Sequence, residues 1–137
     1  MEQTFFDDDF FLVNKITLLF REPKRGDVVI VQEPNTDKIM IKRVIGLPKE
    51  KLFFDLTGIH ITEPNNKKFL LPEPYLEPET ITRSGDGKIT WSTMPIPDHS
   101  YYLLGDNRPN SGDSRKFSVF YRNQIYGLVM KSPFSKK

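Results

Sequence analysis

Apolar residues along this chain come in short runs, each closed by glycine, proline or a cluster of asparagine and aspartate. That rhythm predicts short strands joined by turns and leaves little room for long helices. Residues 27–32 (DVVIVQ) are β-branched and compact, 33–37 (EPNTD) read as a turn, and 38–47 (KIMIKRVIGL) form a second run stopped by Gly46 and Pro48. Together they predict a hairpin. A second hairpin is predicted over 51–62, where KLFF and IHIT flank a turn at 55–58. Further strands are expected at 101–104 and 125–130, and one helical turn within 117–124. Residues 63–100 hold six of the eleven prolines and read as an irregular, loop-rich lobe with one or two short strands, one of them at 88–91. Near the start, Phe5, Phe6, Phe10, Phe11, Leu12 and Val13 surround Asp7, Asp8 and Asp9. Three adjacent acids lack the alternating spacers and glycine of a calcium loop, so they read as an acidic turn between two apolar strands. The fold class is mostly β, a barrel or folded sheet.

A length of 137 residues suits one domain with a small appended lobe. The expected division is a β core from 1–48 and 101–137, with 49–100 as a smaller loop-rich β lobe inserted in it. Hydrophobic residues make up 37% of the chain, and eleven Phe, five Tyr and one Trp give a core bulk enough to close, which argues against a disordered tail. Twenty Lys and Arg against eighteen Asp and Glu leave +2, too balanced for a nucleic-acid groove. The absence of cysteine excludes disulfide scaffolds and zinc–thiolate sites. His60 and His99 stand alone in polar or turn contexts and read as surface histidines; neither a metal nor a cofactor is expected. No apolar run approaches the ~18–20 residues of a membrane span, and no signal peptide opens the chain, so the sequence as written reads as soluble.

Two segments hold candidate chemistry. In a strand, Lys42 shares a face with Met40 and Val44, while Arg43 shares the other with Ile39, Ile41 and Ile45. One of the two cations is therefore expected on an apolar surface. Burial lowers a lysine pKa, whereas arginine stays charged, so only Lys42 can become a neutral amine and a base near neutral pH. The plainer alternative is a strand lysine that snorkels to water. The second segment is 105–115 (GDNRPNSGDSR), which follows the apolar run YYLL. Asp106 with Arg108, and Asp113 with Arg115, are candidate local ion pairs of the surface kind, contributing about 0–1 kcal/mol each. They would fix a loop presenting Ser111 or Ser114; the alternative is a simple solvated turn.

Taken together, KRVIGLP and GDNRPNSGDSR resemble two signature boxes of the type I signal peptidases. The stretches LVNK (12–15), FREPKRGDVV (20–29) and IYGLV (125–129) are similar to that family in the same order, and the likeness is weakest over 63–100. The resemblance implies the folded β-sheet barrel shared with self-cleaving repressors, and a serine–lysine endopeptidase that removes signal peptides from exported proteins. It assigns Lys42 as general base and Ser111 as the hydroxyl that orients it. It also implies that Asp113 with Arg115 holds the loop, and that Asp106 and Arg108 support it. A hydroxyl partner suits such a lysine, because a nearby carboxylate would raise its pKa.

The family's nucleophile lies in a Ser-Met-x-Pro-Thr box. Aligned on Met1 and Thr4, that serine falls one place before Met1, so the chain as given is expected to be inactive; Gln3 stands where the family has proline. Family members are membrane-anchored, with the catalytic domain on the outer face, and the anchor would precede this chain. The resemblance places an extended substrate along the strand edge at Ile39, Met40 and Ile41; Met1, Phe5, Phe11 and Ile41 are candidates to line shallow apolar pockets, with plain core packing as the alternative for each. The alternative to the enzyme is a non-catalytic peptide-binding homologue on the same scaffold. A self-cleaving repressor would need a DNA-binding segment ahead of the domain, and the GDNR loop favours the peptidase.

Overall fold

A computed structural model describes residues 11–131. Ten strands and two helices of a single turn follow the punctuation of the sequence. Strand β1 (Phe11–Asn14) runs into α1 (Thr17–Phe20), whose start is fixed by Asn14: its Oδ1 accepts from the backbone N–H groups of Ile16 and Thr17, each at 3.0 Å. Strands β2 (Val28–Gln32) and β3 (Ile39–Gly46) form the predicted hairpin, with Val29 opposite Lys42. The second predicted hairpin is β4 (Lys51–Asp55) with β5 (Gly58–Thr62). β6 (Lys68–Leu70) and β7 (Trp91–Ser92) flank that hairpin. The chain then returns through β8 (Ser100–Leu104), α2 (Ser114–Phe117), β9 (Phe120–Tyr121) and β10 (Ile125–Lys131).

These strands make a six-stranded sheet in the order β1-β10-β2-β3-β8-β9 and a four-stranded sheet in the order β6-β5-β4-β7. The described strand pairs are antiparallel. The fold is mostly β, as expected, and takes the folded-sheet form: among the described residues neither strand order closes on itself. One core holds Val29, Val31, Met40, Val44, Leu103 and Phe120 of the larger sheet, covered by Leu18 of α1. The other joins the sheets: Ile45, Tyr102 and Leu104 from β3 and β8 pack on Leu52, Phe54, Ile59 and Ile61 from β4 and β5, with Trp91 stacked on Phe54 at 3.8 Å. Each such side chain stabilises by about 1.5–3 kcal/mol through removal from water. Strand β8 is buried at every position because both its faces are covered, and its apolar run YYLL is the sequence mark of that placement.

One local expectation is corrected. The strand expected at 88–91 starts only at Trp91. Residues 84–88 instead close a turn, in which Ser84 Oγ accepts from the Lys88 N–H at 2.8 Å. The helical turn expected within 117–124 is the 3-10 turn at Arg122–Gln124; α2, which the sequence reading does not place, precedes it because Asp113 caps it by accepting from the Arg115 N–H at 3.1 Å. β6 is the second of the one or two short strands expected in the 63–100 lobe, at a place the sequence reading does not specify. Met1, Phe5, Phe6, Asp7, Asp8, Asp9 and Phe10 lie outside the described residues. Among those described, no helix is long and apolar enough to cross a membrane.

Candidate active site

Strand β3 carries Lys42 into the interior on the Met40–Val44 face, leaving the residue only 7% exposed. Burial penalises the ammonium and pulls its pKa below the ordinary lysine value. Asp113 and Asp106 pull it back up, while Arg115 and Lys38 push it further down. The Nζ donates to Ser111 Oγ at 3.0 Å across 69 positions of sequence. The structure therefore brings Lys42 and Ser111 together, and the amine does not snorkel.

The approach is close because residue 105 has no side chain. A Cβ there would fall on Ser111 Oγ, 2.8 Å from Ser111 Cβ and 3.3 Å from Lys42 Nζ. Gly105→Ala is expected to push the serine off the amine and to cost about 1–3 kcal/mol of stability by overpacking. Denaturant unfolding checks this; an alanine variant of unchanged midpoint would show that the loop has slack.

The loop is held at both ends. Asp113 is fully buried; its carboxylate accepts from the Gly105 N–H at 3.0 Å and from Arg115 Nε and Nη2 at 2.9 and 2.7 Å. Burial raises the Asp113 pKa, but the Arg115 guanidinium and the two amides outweigh it and hold it below the usual value. Ser114 Oγ accepts from the Leu103 N–H at 2.9 Å and pins α2 to β8.

The expected pair of Asp106 with Arg108 does not form between their side chains. Asp106, fully buried, takes Arg43 instead, with Nε–Oδ1 at 2.9 Å and Nη2–Oδ2 at 2.7 Å. Arg43 also lies over the Tyr75 ring at 3.9 Å, so both cations of the Lys42–Arg43 pair are buried, not one. Arg108 has a side chain with no exposure; it donates Nε to the Gly105 carbonyl at 2.9 Å, Nη1 to Thr82 Oγ1 at 2.7 Å and Nη2 to Glu73 at 2.6 Å. These are buried networks rather than surface pairs, and breaking one leaves an uncompensated charge. Nothing in a proline-rich stretch distinguishes Glu73, Tyr75 and Thr82 from solvated residues, so the sequence does not mark them.

Beside Lys42, the β8-side edge of β3 carries no strand among the described residues. β8 pairs with it only at Arg43, Val44 and Gly46, while β2 covers the other side from Ile39 to Arg43. Ile39 is exposed at 54% and Ile41 is half-buried, but the Met40 side chain sits in the core and leaves only backbone to that edge. Phe11 opens β1, and Met1 and Phe5 lie outside the described residues. His60 is not solitary: it hydrogen-bonds Thr57 and Asp55 at 2.8 and 3.1 Å, within a polar cap on the β4–β5 turn. The Thr57 hydroxyl leads in holding the Asp55 carboxyl down at about 2. Among the described residues no group of acids and histidines is arranged to hold a metal.

A hydroxyl at hydrogen-bond distance from a desolvated amine is an arrangement suited to proton abstraction. Comparison with known proteins points the same way. Residues 1–132 match the family described as signal peptidase, peptidase S26. Signal peptidase I V of Bacillus subtilis (strain 168) is 32% identical over 136 residues, covering 94% of this chain and 77% of that protein. Signal peptidase I of Bacillus amyloliquefaciens is 33% identical, covering 93% and 67%. A crystal structure of a signal peptidase I from Enterococcus faecalis V583 superposes with a TM-score of 0.62 over 79% of this chain and 97% of that one, at 24% identity, and so shares the fold. Sequence match and architecture agree, and the chain belongs to the type I signal peptidases of the peptidase S26 family.

Proposed function

We propose that this chain is the catalytic part of a serine–lysine endopeptidase that removes signal peptides from exported proteins, with Lys42 as its base. The observation that carries the reading is the buried Lys42 Nζ at 3.0 Å from Ser111 Oγ. In this reading the nucleophile is a serine at the position immediately before Met1. Its hydroxyl gives its proton to the neutral Lys42 amine while the oxygen attacks the scissile carbonyl. The ammonium then returns that proton to the departing amine, leaving an acyl-serine. Lys42 next takes a proton from water, whose oxygen attacks the ester, and gives it to the departing serine oxygen, so that the signal peptide leaves with a new carboxylate and both serine and neutral amine are restored. Ser111 keeps Lys42 aimed without adding an anion, and Gly105, Asp113 and Arg115 keep Ser111 in place. Asp106 with Arg43, and Arg108 with Glu73, support that loop from below.

The substrate in this reading lies extended against the β8-side edge of β3 at Ile39, Met40 and Ile41, the backbone supplying the pairing and Ile41 limiting side-chain size. Residues 1–48 and 101–137 act as the catalytic core, with 49–100 as an appended lobe that contributes Glu73, Tyr75 and Thr82 to the loop's support. An anchor ahead of the chain would hold the domain at the outer face of a membrane, where its precursors emerge.

The test supplies the serine before Met1, behind a short apolar lead, and follows cleavage of a signal-peptide precursor. Processing that requires both the added serine and Lys42 supports the enzyme. Precursor binding with no processing makes the chain a peptide-binding module. In the competent form, Ser111→Ala is expected to lower kcat about 10- to 100-fold while leaving KM nearly unchanged, because it loosens the base rather than the strand edge. Steady-state kinetics on a synthetic peptide separate the two; a change confined to KM would move Ser111 to substrate binding.

A further inference from the structure

A peptide paired to β3 cannot follow that strand past Lys42. From Arg43 onward the same edge is taken by β8, Arg43 facing Leu104 and Val44 facing Leu103. The peptide has to leave the sheet beside Ser111, and an open groove of about 480 Å³ begins there. Its volume falls in the range of about 300–1,000 Å³ usual for ligand sites. The groove runs between the turn at Ser84 and Gly85 and the loop and helix that carry Pro109, Ser111 and Lys116.

The groove is built rather than incidental. The turn is tied to α2, Arg115 Nη1 donating to the Arg83 carbonyl at 3.3 Å. At Gly85 a Cβ would come within 2.9 Å of the Arg115 carbonyl oxygen, so the turn presses directly on the helix. The lining holds three cations and no carboxylate. Two of them are already engaged: Arg108 by Glu73 and Arg115 by Asp113. Lys116 is exposed, lies over the Phe117 ring at 5.1 Å, and makes no ion pair among the described residues. The groove therefore presents one uncompensated positive charge on the far side of the scissile position from Ile39.

We propose that this groove binds the leaving side of the substrate, the residues that follow the cut, and that Lys116 selects for an acidic side chain there. The inference rests on the proposed peptidase reading, which puts the signal side on β3. Such a preference is modest and salt-sensitive, since the charge is solvated and screened beyond about 8 Å at physiological ionic strength.

The test uses the chain itself and extended peptides that span the cut, identical except for Glu, Gln or Lys at each of the first four leaving-side positions in turn. Binding is read by fluorescence anisotropy. At low salt one or more positions are expected to favour Glu over Lys by about three- to ten-fold in Kd, with the ratio falling toward one at 1 M salt. Lys116→Gln should bring the ratio near one, and Lys116→Glu should invert it. A ratio that is the same in the parent and both variants at every position overturns the inference while leaving the peptidase reading intact. Failure of every peptide to bind removes that reading, and this one with it. A charge effect seen only with anionic vesicles gives Lys116 to the membrane surface and also overturns the proposal.

Discussion

Lys42→Arg in the serine-bearing form is expected to abolish processing, at a loss of at least the ~10²–10⁴-fold that a general base supplies. A guanidinium keeps its proton at any working pH, so it cannot accept the serine's. The site is also too close for the larger head group, with Gly105 and Ser111 packed against Nζ. Lys42→Met is therefore the necessary companion, because it removes the base without adding bulk. The two variants should agree in activity and part in stability. Burial lowers the Lys42 pKa from 10.5 in the folded chain. Below the lowered value the amine is charged in both states, and the folded state bears the full cost of holding it. Between that value and 10.5 the unfolded chain carries more protons, so stability rises with pH. Methionine removes this cost, and the variant should melt at or above the parent at neutral pH, with the alkaline rise lost. Activity in the parent should climb with pH through an apparent pKa below the ordinary lysine value. Full rate in Lys42→Arg would end the base assignment; a Lys42→Met chain that melts well below the parent would show that the amine is not held against its solvation.

Much of this architecture is legible in the sequence because its strands carry local signals. Residues 28–32 and 39–46 pair as expected, since a β-branched run, a polar turn and a second apolar run leave one plausible register. The same holds for KLFF and IHIT. The meeting of Lys42 with Ser111 lies 69 positions apart and no periodicity announces it; the residues mark each segment separately, by a cation inside an apolar strand and a charged loop after an apolar run, and only the family resemblance joins them. The ion pairs behave differently. Asp106 and Arg108 are neighbours in sequence, but their side chains take Arg43 and Glu73, from 63 and 35 positions away. Buried charges choose partners by what the tertiary structure brings into the same dry space, and chain proximity says little about that. Asp113 and Arg115 do pair locally, because Asp113 also caps α2 and the helical turn brings Arg115 round to it. Within the proline-rich lobe, β7 is legible only at its first residue, Trp91, and β6 only as an unplaced short strand, because their pairing depends on β4 and β5 already being in place.

That local pair sets the second large effect. Asp113→Ala is expected to destabilise the chain by about 3–5 kcal/mol, a large part of the ~5–15 kcal/mol that holds a typical domain. The variant would leave the Arg115 guanidinium, 9% exposed, without its anion and the Gly105 N–H without its acceptor. Asp113→Asn keeps an oxygen for Gly105 and should cost less, which keeps the comparison measurable if the alanine variant fails to fold. The acid limb of the stability curve gives the sign. Arg115 and the two amides hold the Asp113 pKa below 3.8 against burial, so its contribution is complete above the unfolded carboxylate value and is lost as pH falls through the folded one. Asparagine has nothing to protonate, and the acid limb should flatten. Loop geometry alone would produce the stability loss, but it would not produce the accompanying change in the pH–rate profile. Asp113 raises the Lys42 pKa and Arg115 lowers it. Neutralising residue 113 therefore strips away the stabilising charge and leaves the opposing one in force. The competent Asp113→Asn form should reach its plateau rate at lower pH than the parent, even as its maximum falls. A profile that stays put or moves to higher pH would show that the carboxylate holds the loop without tuning the amine.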